Sequence, residues 1–191
     1  PYVGAESLAP IGPCFRIAAQ RGEINVWEID EAMYYAGLRA AAQMLPFMPW
    51  KGCVGTSYPV MNPEIKEFKD PIKGETLLAV PAIEPDISII HAAYADVYGN
   101  VQHIGSGFGD RAHARAADKR IVEVEKIIPN QEIRKDPLKT TIFGADAIIR
   151  ALYGAHPYAS PGYYIQDAEH IREYVNAANT YAKDNNRGPL E

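Results

Sequence analysis

Apolar and polar positions repeat along this chain with two periods, and each predicts a class of element. From Pro13 to Gln20 (PCFRIAAQ) the spacing is that of a short amphipathic helix, stopped by Gly22. Ile24 to Ile29 (INVWEI) is β-branched and alternates, the pattern of a strand. Asp30 then stands where an N-cap belongs, and Met33, Ala36, Gly37, Ala40 and Met44 recur at the helical period. Such small residues predict close packing of this helix onto a sheet, with Pro46 and Pro49 ending it. Between Tyr58 and Glu75 the periodicity fades among Pro59, Pro63, Pro71, lysines and glutamates, which predicts a long loop of the lid or mobile kind.

The middle of the chain is strand-rich. Thr76 to Ile83 and Asp86 to Asp96 are apolar runs bounded by turn residues, and the second reads as a strand buried on both faces. After a turn at Gly99 and Asn100, GSGFGD (Gly105 to Asp110) leads into a helix near Ala112 to Asp118. A strand from Arg120 to Ile128, a helix from Asn130 to Lys135 and a strand from Thr140 to Phe143 follow. Ala145 to Leu152 fits a strand or a short helix, Asp167 to Tyr181 fits a helix, and KDNNRGPLE fits a frayed tail. Strands alternating with helices predict an α/β fold: an open, mostly parallel sheet with flanking helices. In such sheets ligands sit outside the carboxyl ends of the strands, which points to the loops after Ile29, Asp96 and Ile128.

Composition narrows the picture. A chain of 191 residues, 47% hydrophobic and 23% charged, fits one globular domain over 1–191. Its net charge of −5 leaves no basic excess for nucleic acid. No apolar run approaches the roughly 20 residues of a membrane helix, and no secretory signal is expected. Cys14 and Cys53 match neither a disulfide scaffold nor a zinc pattern, so no metal is expected and reduced thiols in the cytoplasm are. The chain begins at Pro1, and PYVGA reads as the end of a strand, so we expect the C-terminal portion of a longer protein.

Several residues are candidates for chemistry. Glu31 sits in the first helical turn after a strand-like segment. There a carboxylate serves as nucleophile or general base, or merely complements the helix dipole beside its cap, Asp30. The run from His91 to Asp110 gathers two histidines, two aspartates and glycines directly after an apolar strand, as a ligand loop would. Gly105 to Asp110 is not a dinucleotide fingerprint, because Asp110 stands where the last glycine belongs, although its backbone N–H groups suit an anion. His91 alternatively reads as a core histidine. Glu123 and Glu125 share one strand face, a pattern more ordinary on a solvated face than in a metal or shared-proton pair. His156 and Ser160 lie in a proline-rich loop, but no G-x-S-x-G elbow supports a hydrolase nucleophile. Cys53 reads as a small buried residue.

Four segments carry a resemblance: GLRAAAQMLPFMP (Gly37 to Pro49), PAIEPDISIIHAAYADVYGNVQ (Pro81 to Gln102), AADKRIVEVEKII (Ala116 to Ile128) and GAHPYASPGYY (Gly154 to Tyr164). In order and spacing they resemble the α subunit of family I coenzyme A transferases, the glutaconate CoA-transferase type. Pro85-Asp86, His91-Ala92, Ala95-Asp96, Gly99-Asn100, Gln102, Asp110, Ala114, Ala116, Ala117 and Val124-Glu125 carry the match. The resemblance implies a CoA-transferase/NagB-like fold and a heteromer with a β subunit. It also implies transfer of coenzyme A, as substrate rather than cofactor, from an acyl-CoA to a carboxylic acid. The β subunit's glutamate would form a glutamyl-CoA thioester. That glutamate belongs to an E-N-G motif which this chain lacks, so His91, Asp96, Gly99, Asn100, Gln102, Gly105 and Ser106 are expected to supply substrate-binding walls. The family's α subunit also has a glycine-rich N-terminal segment, which the resemblance leads us to expect ahead of this stretch in a longer protein. A related group, the steroid-ring-degrading CoA-ester hydrolases, has a catalytic glutamate in an M-D-E-G-M segment. IDEAM (Ile29 to Met33) resembles it and places Glu31 on that glutamate. A non-catalytic scaffold subunit is the third expectation.

Overall fold

In the computed structural model, residues 12–107 and 109–184 are described. The described residues fall into two compact units, one of residues 12–28 with 166–184 and one of Ile29–Ile165. PYVGA and the tail beyond Asp184 lie outside the described residues.

The first unit pairs α1 (Pro13–Gln20) with α6 (Ala168–Asp184). Pro13 opens α1, where its missing N–H costs nothing, and Gly22 leaves it at φ +69°. Residues 24–29 form no named strand; Val26 alone makes a bridge. Alternation predicts a strand only where a partner is at hand, and pairing is not a local property.

The second unit opens with α2 (Glu31–Ala42). The Asp30 carboxylate caps it, accepting from Ala32 N at 2.8 Å and Met33 N at 3.4 Å. Met33, Ala36, Gly37, Leu38 and Ala40 are its buried face. Met44 is not part of it: the helix stops at Ala42, and Met44 is 93% exposed at φ +56°. Pro49 does not end the helix either; it lies in β1 (Phe47–Trp50), an edge strand, where a missing N–H is tolerated.

The stretch expected to be a loop holds α3 (Tyr58–Met61) and β2 (Lys66–Lys69). Together with β3 (Thr76–Pro81), β1 and β2 form a three-stranded antiparallel sheet in the order β1-β3-β2. The Asp70 carboxylate accepts from Ile72 N and Lys73 N to close the β2–β3 turn. Phe47 and Phe68 meet edge to face across β3, 5.6 Å apart.

The main sheet has the order β7-β5-β4-β6-β8. Its strands are β4 (Ile87–Ala95), β5 (Val101–Gln102), β6 (Lys119–Ile127), β7 (Thr140–Ile142) and β8 (Ala147–Arg150). β4, β6 and β8 run parallel, while β5 pairs antiparallel with both β4 and β7. The fold is therefore open α/β, with a parallel half, an antiparallel half and a separate antiparallel sheet. The helices α4 (Asp110–Ala116) and α5 (Asn130–Lys135) connect its strands. Ile90, Ala92, Ala95, Val101, Ala114, Val122, Val124 and Ile142 form the core beneath α4. β4 is not buried on both faces, since Ile87 and Ile89 are 54% and 70% exposed.

α2 packs between the small sheet and α4. Gly37 makes that approach possible: a Cβ there would lie 2.8 Å from Ile83 Cδ1 and 2.9 Å from the Pro81 carbonyl oxygen. Gly37→Ala is expected to lower stability by about 1–3 kcal/mol, because overpacking against backbone outweighs alanine's better helix propensity. A thermal melt checks this, and an unchanged midpoint would sink it.

Candidate active site

The carboxyl ends of the parallel strands gather the polar side chains of the second unit. At the end of β4, Asp96 is fully buried. Its carboxylate accepts from Tyr98 N (3.0 Å), Asn100 N (2.9 Å), Asn100 Nδ2 (2.8 Å) and Asn130 Nδ2 (2.6 Å). Burial by itself would raise this carboxyl. The bonds from Asn100 and Asn130, then those from the Asn100 and Tyr98 backbone, outweigh it and hold Asp96 below the usual carboxylate value. Gly99 completes the turn at φ +83°, where a Cβ would strike Ala145 N at 2.5 Å. Gln102 is buried and donates to the carbonyl oxygens of Ile133 and Asp136 and to Thr140 Oγ1. Thus Asp96, Gly99, Asn100 and Gln102 are brought together, with bonds directed inward to the β4–β5 turn and to α5. Gly105 (φ +78°) and Ser106 lie on an exposed loop that leads to α4. Phe108, in the same loop, lies outside the described residues.

His91 points to the other face of β4. Its Nε2 lies 3.1 Å from Glu125 Oε1 on β6 and 3.2 Å from Ser160 Oγ. Glu125 is buried rather than solvated, and its Oε2 accepts from Tyr153 N at 3.1 Å. The parallel register explains the meeting: His91 pairs with Glu123, and the next residue on that face is Glu125. Ser160 and the carboxylate approach the same ring nitrogen, whereas a nucleophilic triad needs them on opposite nitrogens. Ser160 is also only 2% exposed, so the loop serine has neither the geometry nor the access of a nucleophile. Tyr163 and Tyr164 close over the cluster. Partial burial, a hydrogen bond shared with Tyr94 and the nearby Glu125 carboxylate push the Tyr163 phenol up to about 12. Burial and Glu125 also raise Tyr164, although Ala155 N donates to its oxygen.

A cavity of about 320 Å³ opens beside this cluster, lined by Glu125, Lys126 and Ile127 from the end of β6, Arg150 from the end of β8, and Leu152 and Tyr163. This is the crevice that strand topology assigns to ligands. Sequence reasoning missed Glu125, Arg150 and Tyr163 as its lining. The signal was present in the rule about carboxyl ends, applied to β6 and β8 as well as to β4. Glu31 lies elsewhere, in a second cavity of about 430 Å³ between α2 and α4, together with Tyr35, Arg39, Arg111 and Arg115. Burial, then the charge of Asp30, raises the Cys53 thiol, which disfavours its thiolate and any nucleophilic role.

His103 is bonded through Nδ1 to Thr141 Oγ1 at 2.6 Å, and its Nε2 lies 3.5 Å from Asp110 Oδ2. Burial lowers its pKa more than Asp110 raises it. The folded state therefore resists protonation, and this contribution to stability is intact above the unfolded value of about 6.5. It is lost as pH falls below that value through the lower folded one. His103→Gln is expected to flatten the stability profile between about pH 7 and 5, measured by urea denaturation. A variant profile parallel to wild type would refute the assignment.

A family model described as coenzyme A transferase matches residues 2–149. The chain belongs to the coenzyme A transferase family. Among curated relatives, it is 33% identical over 190 residues to the cholesterol ring-cleaving hydrolase IpdA subunit of Rhodococcus jostii, covering 94% of this chain and 64% of that one. It is 32% identical over 197 residues to the A-type subunit of glutaconate CoA-transferase from Acidaminococcus fermentans, covering 94% and 62%. The crystal structure of glutaconate CoA-transferase from Acidaminococcus fermentans superposes with a TM-score of 0.79 at 31% identity, covering 89% of this chain and 61% of that one. A variant of the decarboxylase AibA/AibB also gives 0.79, at 28% identity, covering 91% and 64%. This chain spans less than two thirds of the length of each of these proteins. Transferase, hydrolase and decarboxylase thus share one frame, and the frame does not name the reaction.

Proposed function

We propose that this chain is the A-type, or α, subunit of a heteromeric, cytoplasmic enzyme that moves coenzyme A from an acyl-CoA to a carboxylic acid. A β subunit supplies the nucleophilic glutamate. That carboxylate attacks the thioester carbonyl and releases the CoA thiolate. The thiolate attacks the resulting anhydride at the glutamyl carbonyl, which frees the first acid and leaves a glutamyl-CoA thioester. The acceptor acid reverses both steps and restores the glutamate. Coenzyme A is a substrate here, and no cofactor, nucleic acid or membrane takes part. The observation that carries this reading is the engagement of the chain's own buried carboxylates. Asp96 accepts four hydrogen bonds, and Glu125 accepts from Tyr153 N with its other oxygen 3.1 Å from His91 Nε2, so a nucleophile is better sought on the partner. This chain then walls the crevice, with Arg150 placed to meet a substrate carboxylate.

The test is to incubate the assembled enzyme with acyl-CoA, quench it and locate the glutamyl-CoA adduct by peptide mass spectrometry. An adduct on the partner chain supports the assignment. An adduct on this chain, or turnover with none, overturns it.

One observation favours a hydrolase as the second reading: Glu31, which the IDEAM resemblance sets against the hydrolase glutamate, lines an open cavity. Glu31→Gln would then abolish CoA-ester hydrolysis. Wild-type turnover by that variant removes Glu31 from the catalytic residues. A scaffold role remains if neither chemistry depends on this chain's side chains.

A further inference from the structure

The cavity between α2 and α4 has a composition opposite to that of the chain. Glu31, Tyr35 and Arg39 follow one another down α2 at successive i, i+4 positions, and Arg111 and Arg115 stand one turn apart on α4. Three guanidinium groups therefore meet one carboxylate, in a chain of net charge −5. None of these arginines has a side-chain hydrogen bond or ion pair among the described residues. Three cations against a single carboxylate leave an excess of positive charge that repels itself, and an external anion relieves that repulsion.

Exposed arginines commonly do no more than face water. Here the two helices that carry them are locked together. Tyr34 Oη lies 2.8 Å from His113 Nε2, and His113 Nδ1 lies 2.8 Å from the Gly109 carbonyl oxygen. A carbonyl can only accept, so in the neutral ring Nδ1 carries the hydrogen and Nε2 accepts from the Tyr34 hydroxyl. Tyr35 meets the same imidazole edge to face, with centroids 6.3 Å apart. A Cβ on Gly109 would lie 2.6 Å from the Tyr35 hydroxyl, so glycine there lets the phenol close onto the start of α4. The arginines thus hang from a fixed frame, which reduces the ordering cost of binding. Their planar forks match phosphate oxygens two at a time, and about 430 Å³ leaves room for a diphosphate with part of a nucleoside.

We propose that the α2–α4 cleft is a phosphoanion site. Resting on the acyl-CoA reading above, it takes the diphosphate of the coenzyme A half of the substrate. Arg39, Arg111 and Arg115 bind it, and Glu31 sets the edge by repelling negative charge. The site is separate from the crevice at the ends of β6 and β8.

Isothermal titration calorimetry with inorganic pyrophosphate and with coenzyme A tests this on the purified protein. Wild type is expected to bind both, and Arg111→Gln/Arg115→Gln to weaken both by about tenfold or more, since each lost charge-assisted bond costs at least one decade. These residues are exposed, so the variant keeps its fold, and Arg39→Gln on the other helix gives an independent reading. Glu31→Gln is expected to tighten pyrophosphate binding a few-fold, the opposite of what a purely catalytic Glu31 predicts. Absent pyrophosphate binding, or equal affinity in wild type and the double variant, overturns the site. Arginine-dependent pyrophosphate binding without coenzyme A binding supports the anion site and overturns the acyl-CoA reading. Coenzyme A binding that ignores the arginines does the reverse.

Discussion

Asp96→Ala is expected to destabilise the second unit by about 4 kcal/mol, a large share of the roughly 5–15 kcal/mol that holds a typical domain. The side chain is fully buried and satisfies two backbone N–H groups and two asparagine amides. Alanine removes the acceptor and leaves those donors inside the fold. Each unmet donor costs about 1–3 kcal/mol, and the sum falls short of additive because the turn relaxes. Gly99 limits that relaxation, because it is wedged against the Ala145 backbone. A loss under about 1 kcal/mol in urea denaturation would show that the turn does not depend on the carboxylate. The pH dependence follows the same bonds. Asp96 is held below its ordinary value, so its contribution is present above the unfolded carboxyl value of about 3.9. It is lost as pH falls through the lower folded value. Asp96→Asn should remove that acid limb, and it should cost stability at neutral pH because one oxygen becomes a donor facing donors.

The chain's local patterns carried most of the elements and less of the site. The helix Pro13–Gln20 stands where its period placed it, and the strands Ile87–Ala95 and Lys119–Ile127 lie within a residue of theirs. Asp30 caps α2 as its position before the helical repeat implied. By contrast, β2 reads KEFK: an edge strand bearing lysines, which guards a sheet margin but hides the strand in sequence. Residues 24–29 have the opposite character, a strand pattern without a ladder. Both discrepancies arise because pairing depends on residues far along the chain. The candidate site divides the same way. The polar run after β4 was visible as a cluster, but its commitment to a turn was not. Asn130, which bonds Asp96, is 34 positions away in sequence. Glu125 was visible as one of two alternating carboxylates, but only the register of β4 against β6 brings it to His91. The arginine cleft needed the α2–α4 packing, although the i, i+4 spacing on each helix was open to reading.

Glu125 provides the second large effect, and a way to separate structure from chemistry. Glu125→Ala is expected to cost about 3–5 kcal/mol, because it leaves Tyr153 N and His91 Nε2 without their carboxylate in a buried setting. The pair itself need not be worth that much. Replacing both partners with apolar residues of similar volume removes the stranded imidazole but leaves Tyr153 N unmet, so His91→Leu/Glu125→Leu should recover part of the loss. The difference between the double variant and the sum of the single ones, about 1–3 kcal/mol, measures the coupling. Additive losses would show that His91 and Glu125 act separately. Tyrosine ionisation provides a reading that stability alone does not. Glu125 contributes to the raised values of Tyr163 and Tyr164, so Glu125→Gln should bring both phenols down in an ultraviolet titration. If Glu125→Gln keeps the fold and lowers the phenols yet leaves turnover intact, the cluster is a clasp that positions the Tyr163 wall of the crevice. If turnover falls while stability holds, the carboxylate is acting on what the crevice binds.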